Sequence, residues 1–367
     1  MSNFKVEEAK HIYGAKIKVI GVGGGGGNMI NHMVKEGIKG VDLIAANTDS
    51  QALENSLATS RIQIGEKKTR GLGSGGKPEV GRESADESYE ELKSALEHAD
   101  IVFIASGLGG GTGTGAAPIV AQAAKEIGAL TVSVVTKPFA FEGKKRMMLA
   151  ENGLAELKKE SDSIVVIPND KLLSIIDANA GIEESFKMVD SVLCRAVSGI
   201  SGVILSKGII NVDFADVQTI MSHRGKALLG VGESSGADAA NEAVRNAIQS
   251  PLLDDMSMNG ALGALVHFYA HPKECSLRKI QEAMNIIYDA ASVEADIIVG
   301  ITTDENIKDG YVRVTIVATG FDNKLADIVE IKQKEREMPP ISRKVSGGDS
   351  IQEEFLEIPT ILRRQMD

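Results

Sequence analysis

Short apolar runs alternate with longer amphipathic stretches along the first half of the chain. Strands are predicted at 17–22, 41–46, 101–106, 131–136 and 163–168, because each run is apolar and bounded by turn residues. This alternation predicts an α/β fold in which helices cover both faces of a parallel, Rossmann-like sheet. Ligands of such sheets bind at the carboxyl ends of the strands.

A single long helix is predicted next. Apolar residues recur at steps of four and three from Ile182 to Val203, which gives an apolar stripe over about six turns, or roughly 35 Å. Further strands at 262–270, 295–301 and 311–319 indicate a second, smaller α+β domain.

The chain therefore divides into six predicted segments. They are an N-terminal extension (1–14), a first domain (15–180), a central linking helix (181–207), a C-terminal α+β domain (208–321), a flexible linker (322–350) and a C-terminal peptide (351–367).

The most informative stretch is the glycine-rich run 109–115, which contains no bulky side chain. It lies between the strand 101–106 and a predicted helix, 116–128, with Pro118 in its first turn. Glycine allows backbone to approach a ligand closely, and the start of a helix attracts anions, so a phosphate site is predicted. A mobile linker is the alternative, but a linker is not expected between a buried strand and a helix.

A second glycine run, 23–27, separates the strand 17–22 from a helix predicted to begin at Asn28. A match to G-x-G-x-x-G here is weak evidence for a dinucleotide, because any glycine run satisfies it. Two phosphate turns suit a nucleoside triphosphate better than a nicotinamide dinucleotide. A third loop, 69–76, which includes Gly73, adds backbone donors.

Composition excludes several classes of function. The formal charge of −11 disfavours a nucleic-acid surface, and six scattered histidines give no transition-metal pattern, so His223 and His267 are expected to be surface or packing residues. Cys194 and Cys275 are predicted to be buried thiols. The first 14 residues lack a secretory h-region, and no apolar run is expected to reach the roughly 18 residues of a membrane helix, so a cytoplasmic protein without direct membrane insertion is expected.

Four segments together resemble one family. Residues 21–28, 47–49, 107–115 and 211–216 are similar to the motifs of FtsZ, the family of bacterial tubulin-like division GTPases, and the likeness extends over roughly 15–320 and the last ten residues. The resemblance implies that GTP is bound and hydrolysed to GDP, and that subunits polymerise head to tail. It also implies filaments that form the cytokinetic ring at mid-cell.

The resemblance assigns a role to each matched residue of the nucleotide site. Phosphates would be bound by Gly24, Gly25, Gly73, Gly109, Gly110, Gly111, Thr112, Gly113 and Thr114. Arg146 would lie near the phosphates, while Glu142 and Asn169 would contact the ribose; a solvated loop pair is the alternative for Glu142 and Arg146.

Guanine would be read by Asn28 and Asp190, because its N1–H and N2–H groups need acceptors. Phe186 would stack on the base, although its place on the apolar stripe equally suits a core aromatic residue.

The segment 211–216 has two interpretations. Asp213 followed three residues later by Asp216 is typical of a helix N-cap. In the family, these acids and Asn211 belong to a loop that completes the GTPase site of the next subunit, and both interpretations can hold. Mg²⁺ is expected on the β- and γ-phosphate oxygens; Asp49 lies at the same edge but is not assigned as a ligand.

The apolar segment 355–364 follows a polar linker and favours a docking peptide. It resembles the family's tail, which binds membrane-tethering and regulatory division proteins. Glu357 and Ile361 depart from the usual aspartate and phenylalanine, so the tethering partner stays open; a frayed terminus is the alternative.

Two other functions compete with a filament-forming GTPase. A dehydrogenase would need a catalytic acid or base near a substrate pocket, and the sequence offers none. A nucleotide-binding filament that hydrolyses little is disfavoured by the presence of both Asp213 and Asp216.

Overall fold

The computed structural model describes residues 15–174, 176, 180–205, 212–222, 225–253 and 258–321. The predicted N-terminal extension, linker and C-terminal peptide lie outside these residues. The strands are β1 (Ile17–Val22), β2 (Val41–Asn47), β3 (Ser60–Gln63), β4 (Ile101–Gly107), β5 (Leu130–Lys137), β6 (Ser163–Pro168), β7 (Gly225–Ser235), β8 (Gly263–Ala270), β9 (Asp296–Thr303) and β10 (Tyr311–Thr319).

The helices surround this sheet, and three 3₁₀ turns connect elements at Ala140–Glu142, Met258–Gly260 and Pro272–Glu274. The α-helices are α1 (Gly23–Lys35), α2 (Ser50–Glu54), α3 (Glu66–Thr69), α4 (Pro78–Glu87), α5 (Tyr89–Leu96), α6 (Thr112–Glu126), α7 (Lys144–Glu160), α8 (Asn169–Leu172), α9 (Ile182–Leu205), α10 (Phe214–Met221), α11 (Ala239–Ile248) and α12 (Leu277–Ala290).

The strands form one mostly parallel sheet in the order β3-β2-β1-β4-β5-β6-β7-β10-β8-β9. β1 lies between β2 and β4, so Gly21 is paired with Ala45 on one side and Ala105 on the other. β10 is antiparallel to both β7 and β8. The predicted α/β fold is confirmed, and β1 and β4 bring the two glycine runs side by side at one edge.

Both glycine runs begin helices, which corrects the sequence prediction. α1 begins at Gly23 instead of Asn28, and α6 begins at Thr112 instead of Ala116, which places Pro118 beyond the first turn. The reason is close packing: a Cβ on Gly21 would overlap the carbonyl oxygen of Gly26, so strand and helix touch through bare backbone.

The predicted long helix is present as α9, whose described part runs from Ile182 to Leu205, but its apolar stripe is buried only from Val189 onward. Ile182 is 74% exposed and Phe186 is 38% exposed, because the first turns of α9 lie beside a cavity instead of the core. Within the described chain, α9 alone is long and apolar enough to cross a membrane, so the prediction that no segment reaches that measure is wrong. More than half of its most apolar window is buried in the protein, as in a core helix.

The minor predictions on thiols and imidazoles are partly confirmed. Cys194 is buried, and burial raises its pKa to about 11, whereas Cys275 is only partly buried. His267 is a packing residue: its Nε2 lies 2.8 Å from Thr302 Oγ1, and burial lowers its pKa to about 4. His223 lies outside the described residues.

Candidate functional site

A cavity of about 430 Å³ lies at the carboxyl ends of β1, β4 and β5. The first turns of α1 and α6 form one end, and the N-terminal half of α9 forms the other. Its wall contains twelve of the predicted nucleotide residues, which are Gly24, Gly25, Asn28, Gly110, Gly111, Thr112, Gly113, Glu142, Arg146, Asn169, Phe186 and Asp190.

The glycine end of the cavity suits phosphate. The first N–H groups of an α-helix have no partner within the helix, and two helices begin here beside each other. Their dipoles add positive potential at the same place, so anion binding needs no lysine.

Three predicted phosphate residues do not line the cavity. Gly109 donates its N–H to Thr114 Oγ1 at 2.8 Å, so these two groups stabilise the loop from inside. Gly73 donates its N–H to the carbonyl oxygen of Thr48 at 3.2 Å, and its neighbour Ser74 lines the wall instead. The structure therefore places Gly73, Gly109 and Thr114 behind the wall.

The hydroxyl of Thr112 joins two others that the sequence did not single out. Its Oγ1 lies 2.7 Å from Thr48 Oγ1 and 2.9 Å from Ser74 Oγ. These partners are 64 and 38 residues away in sequence, so no local pattern could have indicated the contact.

Arg146 and Glu142 form an ion pair with each other at the cavity wall. Glu142 also accepts a hydrogen bond from the backbone N–H of Phe139 at 2.9 Å, which fixes its position. The Arg146 side chain is 56% exposed, whereas that of Glu142 is 14% exposed. Glu142 and Arg146 therefore pair with each other, as the alternative interpretation predicts, and the pair also faces the cavity.

The opposite end holds polar groups that have no hydrogen-bond partner among the described residues. Burial alone raises the pKa of Asp190 to about 7. The Oδ1 atom of Asn169 is buried and accepts no hydrogen bond from any described residue. Unpaired buried acceptors destabilise a protein, so they are typical of a site whose ligand supplies the donors.

Phe186 belongs to an aromatic group next to these acceptors. Its ring meets Phe139 edge-on, with centroids 5.6 Å apart, and Phe139 stacks on Phe141 at 5.2 Å. Phe186 is thus held on one side and partly exposed on the other, which leaves a ring surface available to a planar base.

The two predicted catalytic acids lie away from the cavity wall. The last α9 residue in that wall is Leu193, and the helix continues for 12 residues, roughly 18 Å, to Leu205 before the acids follow in the chain. Asp213 and Asp216 are both exposed. Asn211 lies outside the described residues.

Asp213 holds the N-cap position of α10, but its carboxylate makes no capping hydrogen bond. Its backbone carbonyl oxygen accepts from the N–H groups of Asp216 at 3.1 Å and Val217 at 3.3 Å. The cap interpretation is thus correct for the backbone only, and the carboxylate has no capping role.

Asp49 has a structural role. Its Oδ1 accepts hydrogen bonds from the N–H groups of Gln51 at 3.0 Å and Ala52 at 3.3 Å, which caps α2. Among the described residues, no group of three or more His, Cys, Asp or Glu side chains could hold a metal ion.

Two family models match the chain. The Tubulin/FtsZ family GTPase domain matches residues 16–177, and the FtsZ family C-terminal domain matches residues 225–322. The chain is 47% identical to the cell division protein FtsZ of Helicobacter pylori strain J99, over 96% of this chain and 93% of that protein. It is 45% identical to the protein of the same name from Pseudomonas aeruginosa, over 96% and 97%.

Solved structures agree with this relation. An empty FtsZ dimer from M. jannaschii is 48% identical, with a TM-score of 0.80, over 84% of this chain and 89% of that one. CetZ2 from Haloferax volcanii, a GTPγS-bound protofilament, is 22% identical with a TM-score of 0.72 over 88% of this chain and all of that one, and it supports the fold alone. With two matched domains, near-half identity over nearly its whole length and the glycine cavity in place, the chain belongs to the FtsZ family of GTPases.

Proposed function

We propose that this GTPase hydrolyses GTP only at contacts between subunits, which assemble head to tail into filaments of the bacterial division ring. The relatives are named cell division proteins, and one similar structure is described as a dimer. A contact that joins different surfaces of two copies repeats into an open filament.

The observation that carries the proposal is the separation between the cavity and the two exposed acids. Among the described residues of the cavity wall, the carboxylates are Glu142, which is paired with Arg146, and Asp190, which lies at the α9 end. Neither lies on the glycine turns where a terminal phosphate would bind. Within the described part of the chain, the carboxylates of Asp213 and Asp216 have no hydrogen-bond or ion-pair partner, so a neighbouring copy could supply them.

Each residue then has a physical task. Asp190 accepts hydrogen bonds from the guanine edge, and the amide of Asn28 can both accept from that edge and donate to it. Asn169 accepts a hydrogen bond from a ribose hydroxyl through its unpaired Oδ1 atom. The helix N-termini bind the phosphates, and Arg146 adds a cation by turning from Glu142.

In the reaction, water attacks the γ-phosphorus, the bond between the γ-phosphorus and the β–γ bridging oxygen breaks, GDP and phosphate leave, and the proton that the water loses passes to solvent. Asp213 of the neighbouring subunit accepts a hydrogen bond from this water, while Asp216 and Asn211 help to orient it. Mg²⁺ would neutralise phosphate charge, held mainly by phosphate oxygens and water beside the Thr112 hydroxyl, since the described carboxylates offer no cluster for it.

We further propose the remaining organisation from the family. The linker 322–350 would tether the peptide 351–367 to membrane-tethering and regulatory division proteins, and the filament would lie in the cytoplasm at mid-cell. The segments 15–180 and 208–321 would act as the nucleotide and catalytic-loop domains joined by the helix 181–207.

A mixing experiment tests the shared site. Asp213→Ala keeps the cavity and removes the acid, whereas Gly110→Asp keeps the acids and adds a negative charge to the cavity wall, at a position where a Cβ meets no protein atom within 4 Å. Each variant alone is expected to have little or no activity. An equal mixture should recover up to roughly one quarter of wild-type turnover, because random order joins an intact cavity to an intact acid at that fraction of contacts.

GTP binding by the dilute variants serves as the control. Asp213→Ala should bind GTP like the wild type, and Gly110→Asp should bind it poorly. Wild-type turnover per subunit should also rise from near zero above a critical protein concentration. A mixture that stays inactive, together with turnover independent of concentration, would show that the site is complete within one chain.

A further inference from the structure

β9 is the last strand of the sheet, and within the described chain it is paired on one side only. It lies parallel to β8, and the backbone N–H groups of Asp296 and Asp304 donate to carbonyl oxygens on that side at 3.0 Å and 3.2 Å. Because backbone groups alternate in direction along a strand, the even-numbered residues of β9 bond to β8. The odd-numbered residues direct their N–H and C=O groups away from the sheet, and they are Ile297, Val299, Ile301 and Thr303. We call this side of the strand the β9 edge.

The two edges of the sheet are protected differently. β3, at the other edge, has four residues and exposes Arg61, and short, charged strands are typical of edges that do not pair. β9 has eight residues and contains no lysine, arginine or proline. Val293, just before the strand, is fully exposed. The β9 edge is therefore open to a further strand.

The outward backbone groups are symmetric about Gly300. If two β9 strands pair antiparallel with Gly300 at the centre, Ile297 lies opposite Thr303. Val299 then lies opposite Ile301, and about eight backbone hydrogen bonds can form. The two central glycines form the closer, non-hydrogen-bonded type of pair, and they have no side chains that could collide. The β9 edge is thus complementary to itself, as a twofold contact requires.

Acidic side chains at the ends of the strand oppose this pairing at low ionic strength. In the same register, Asp296 of one copy lies opposite Asp304 of the other. Asp296 is exposed. The hydroxyl of Tyr269 donates to Asp304 Oδ2 at 2.7 Å and lowers the pKa of Asp304, which keeps that carboxylate charged. Like charges directly opposite each other destabilise a strand pair, and salt screens them, so pairing should strengthen as the ionic strength rises.

We propose that the β9 edge is a lateral contact between filaments, in which β9 of one subunit pairs with β9 of a second copy. This inference rests on the proposed function. Two eight-residue strands cover less than the roughly 800 Å² per partner of a standard interface, so isolated subunits should pair weakly. A filament presents the edge many times, and each contact that forms raises the effective concentration for the next.

Electron microscopy and light scattering of the full chain with GTP, at a series of ionic strengths, test the inference. Wild-type filaments should be single at low ionic strength and laterally paired at higher ionic strength. Val299→Pro removes an outward N–H group and leaves the hydrogen bonds to β8, so its filaments should stay single throughout. Its GTP turnover per subunit should match that of the wild type, because β9 does not line the nucleotide cavity.

Asp296→Lys gives a test in the opposite direction, at an exposed position that does not endanger folding. The substitution places a cation opposite Asp304, so filaments of this variant should pair at low ionic strength, where wild-type filaments are single. Arg61→Pro is the matched control, because it puts a proline in the strand at the other edge of the sheet. Its filaments should pair as those of the wild type do.

The outcomes separate this inference from the proposed function. Lateral pairing of Val299→Pro filaments like that of the wild type, or no gain from Asp296→Lys, would overturn the lateral contact. Wild-type filaments that stay single at every ionic strength would overturn it as well, and would leave the edge to an extended peptide of another protein. A wild-type protein that neither forms filaments with GTP nor hydrolyses it would instead refute the proposed function.

Discussion

The Asp190→Asn substitution should stabilise the nucleotide-free protein, and increasingly so as the pH rises. Burial at the α9 end of the cavity raises the pKa of Asp190 from 3.8 to about 7, and no cation or hydrogen bond contributes to that value. Between these two values the folded state holds the proton and the unfolded state does not. The ionised carboxylate therefore destabilises the fold, and the free energy of unfolding falls progressively as the pH rises from about 4 to 7.

The magnitude follows from the difference in pKa. A shift of about 3 units corresponds to at most about 4 kcal/mol in the free energy of unfolding at pH 8. At pH 5 the same linkage gives about 2 kcal/mol, and near pH 4 it nearly vanishes. The advantage of the asparagine variant should therefore grow by about 2–3 kcal/mol between pH 5 and pH 8.

Urea unfolding of both proteins without nucleotide, at a series of pH values, measures this difference. Other titrating groups cancel in the comparison, because the two proteins differ at one side chain. In the proposed site guanine donates hydrogen bonds to this carboxylate, so the variant should also lose GTP affinity. Parallel stability curves from pH 5 to pH 8 would refute the assignment of a desolvated, unpaired Asp190.

Three further outcomes are expected. GTP affinity should fall about tenfold for each pH unit below about 7, because protonated Asp190 no longer accepts from guanine, as titration calorimetry would show. Glu233→Gln should lower the free energy of unfolding by about 2 kcal/mol, because Arg313 at 2.9 Å and Arg195 at 2.8 Å would lose the carboxylate that they share. An unchanged urea midpoint would contradict this. Gly115→Ala should cost about 3 kcal/mol or more, or prevent folding, because its Cβ would overlap the carbonyl oxygen of Pro78; thermal unfolding of the variant like that of the wild type would contradict the packing.

The sequence alone is enough to predict the sheet and the edge that carries the glycine cavity. Continuous apolar runs are sufficient to predict buried parallel strands, and the strands predicted in the first half of the chain appear with few changes in their bounds. The glycine run after β4 also pointed to phosphate, because close backbone approach is a property of glycine wherever it stands.

The role of those glycines depends on contacts that form only in the folded protein. Local propensity disfavours glycine in a helix, so helices were predicted to begin after each run. Contacts with neighbouring backbone override that preference: Gly26 packs on the carbonyl oxygen of Ala105, which no side chain would allow. The same holds for the stripe on α9, whose first turns border a cavity that the periodicity cannot detect.

The polar chemistry of the site likewise depends on contacts between distant segments. The family resemblance identified Asp190, Asn169 and Asp213 as candidates, but whether a polar group is paired depends on what folds against it. The sequence could not tell that Asn169 would lack a partner, that Asp213 would leave its cap unmade, or that Ser74 and Thr48 would meet on Thr112. Hydrogen bonds have short range and strict geometry, so these facts exist only once the sheet has brought its loops together.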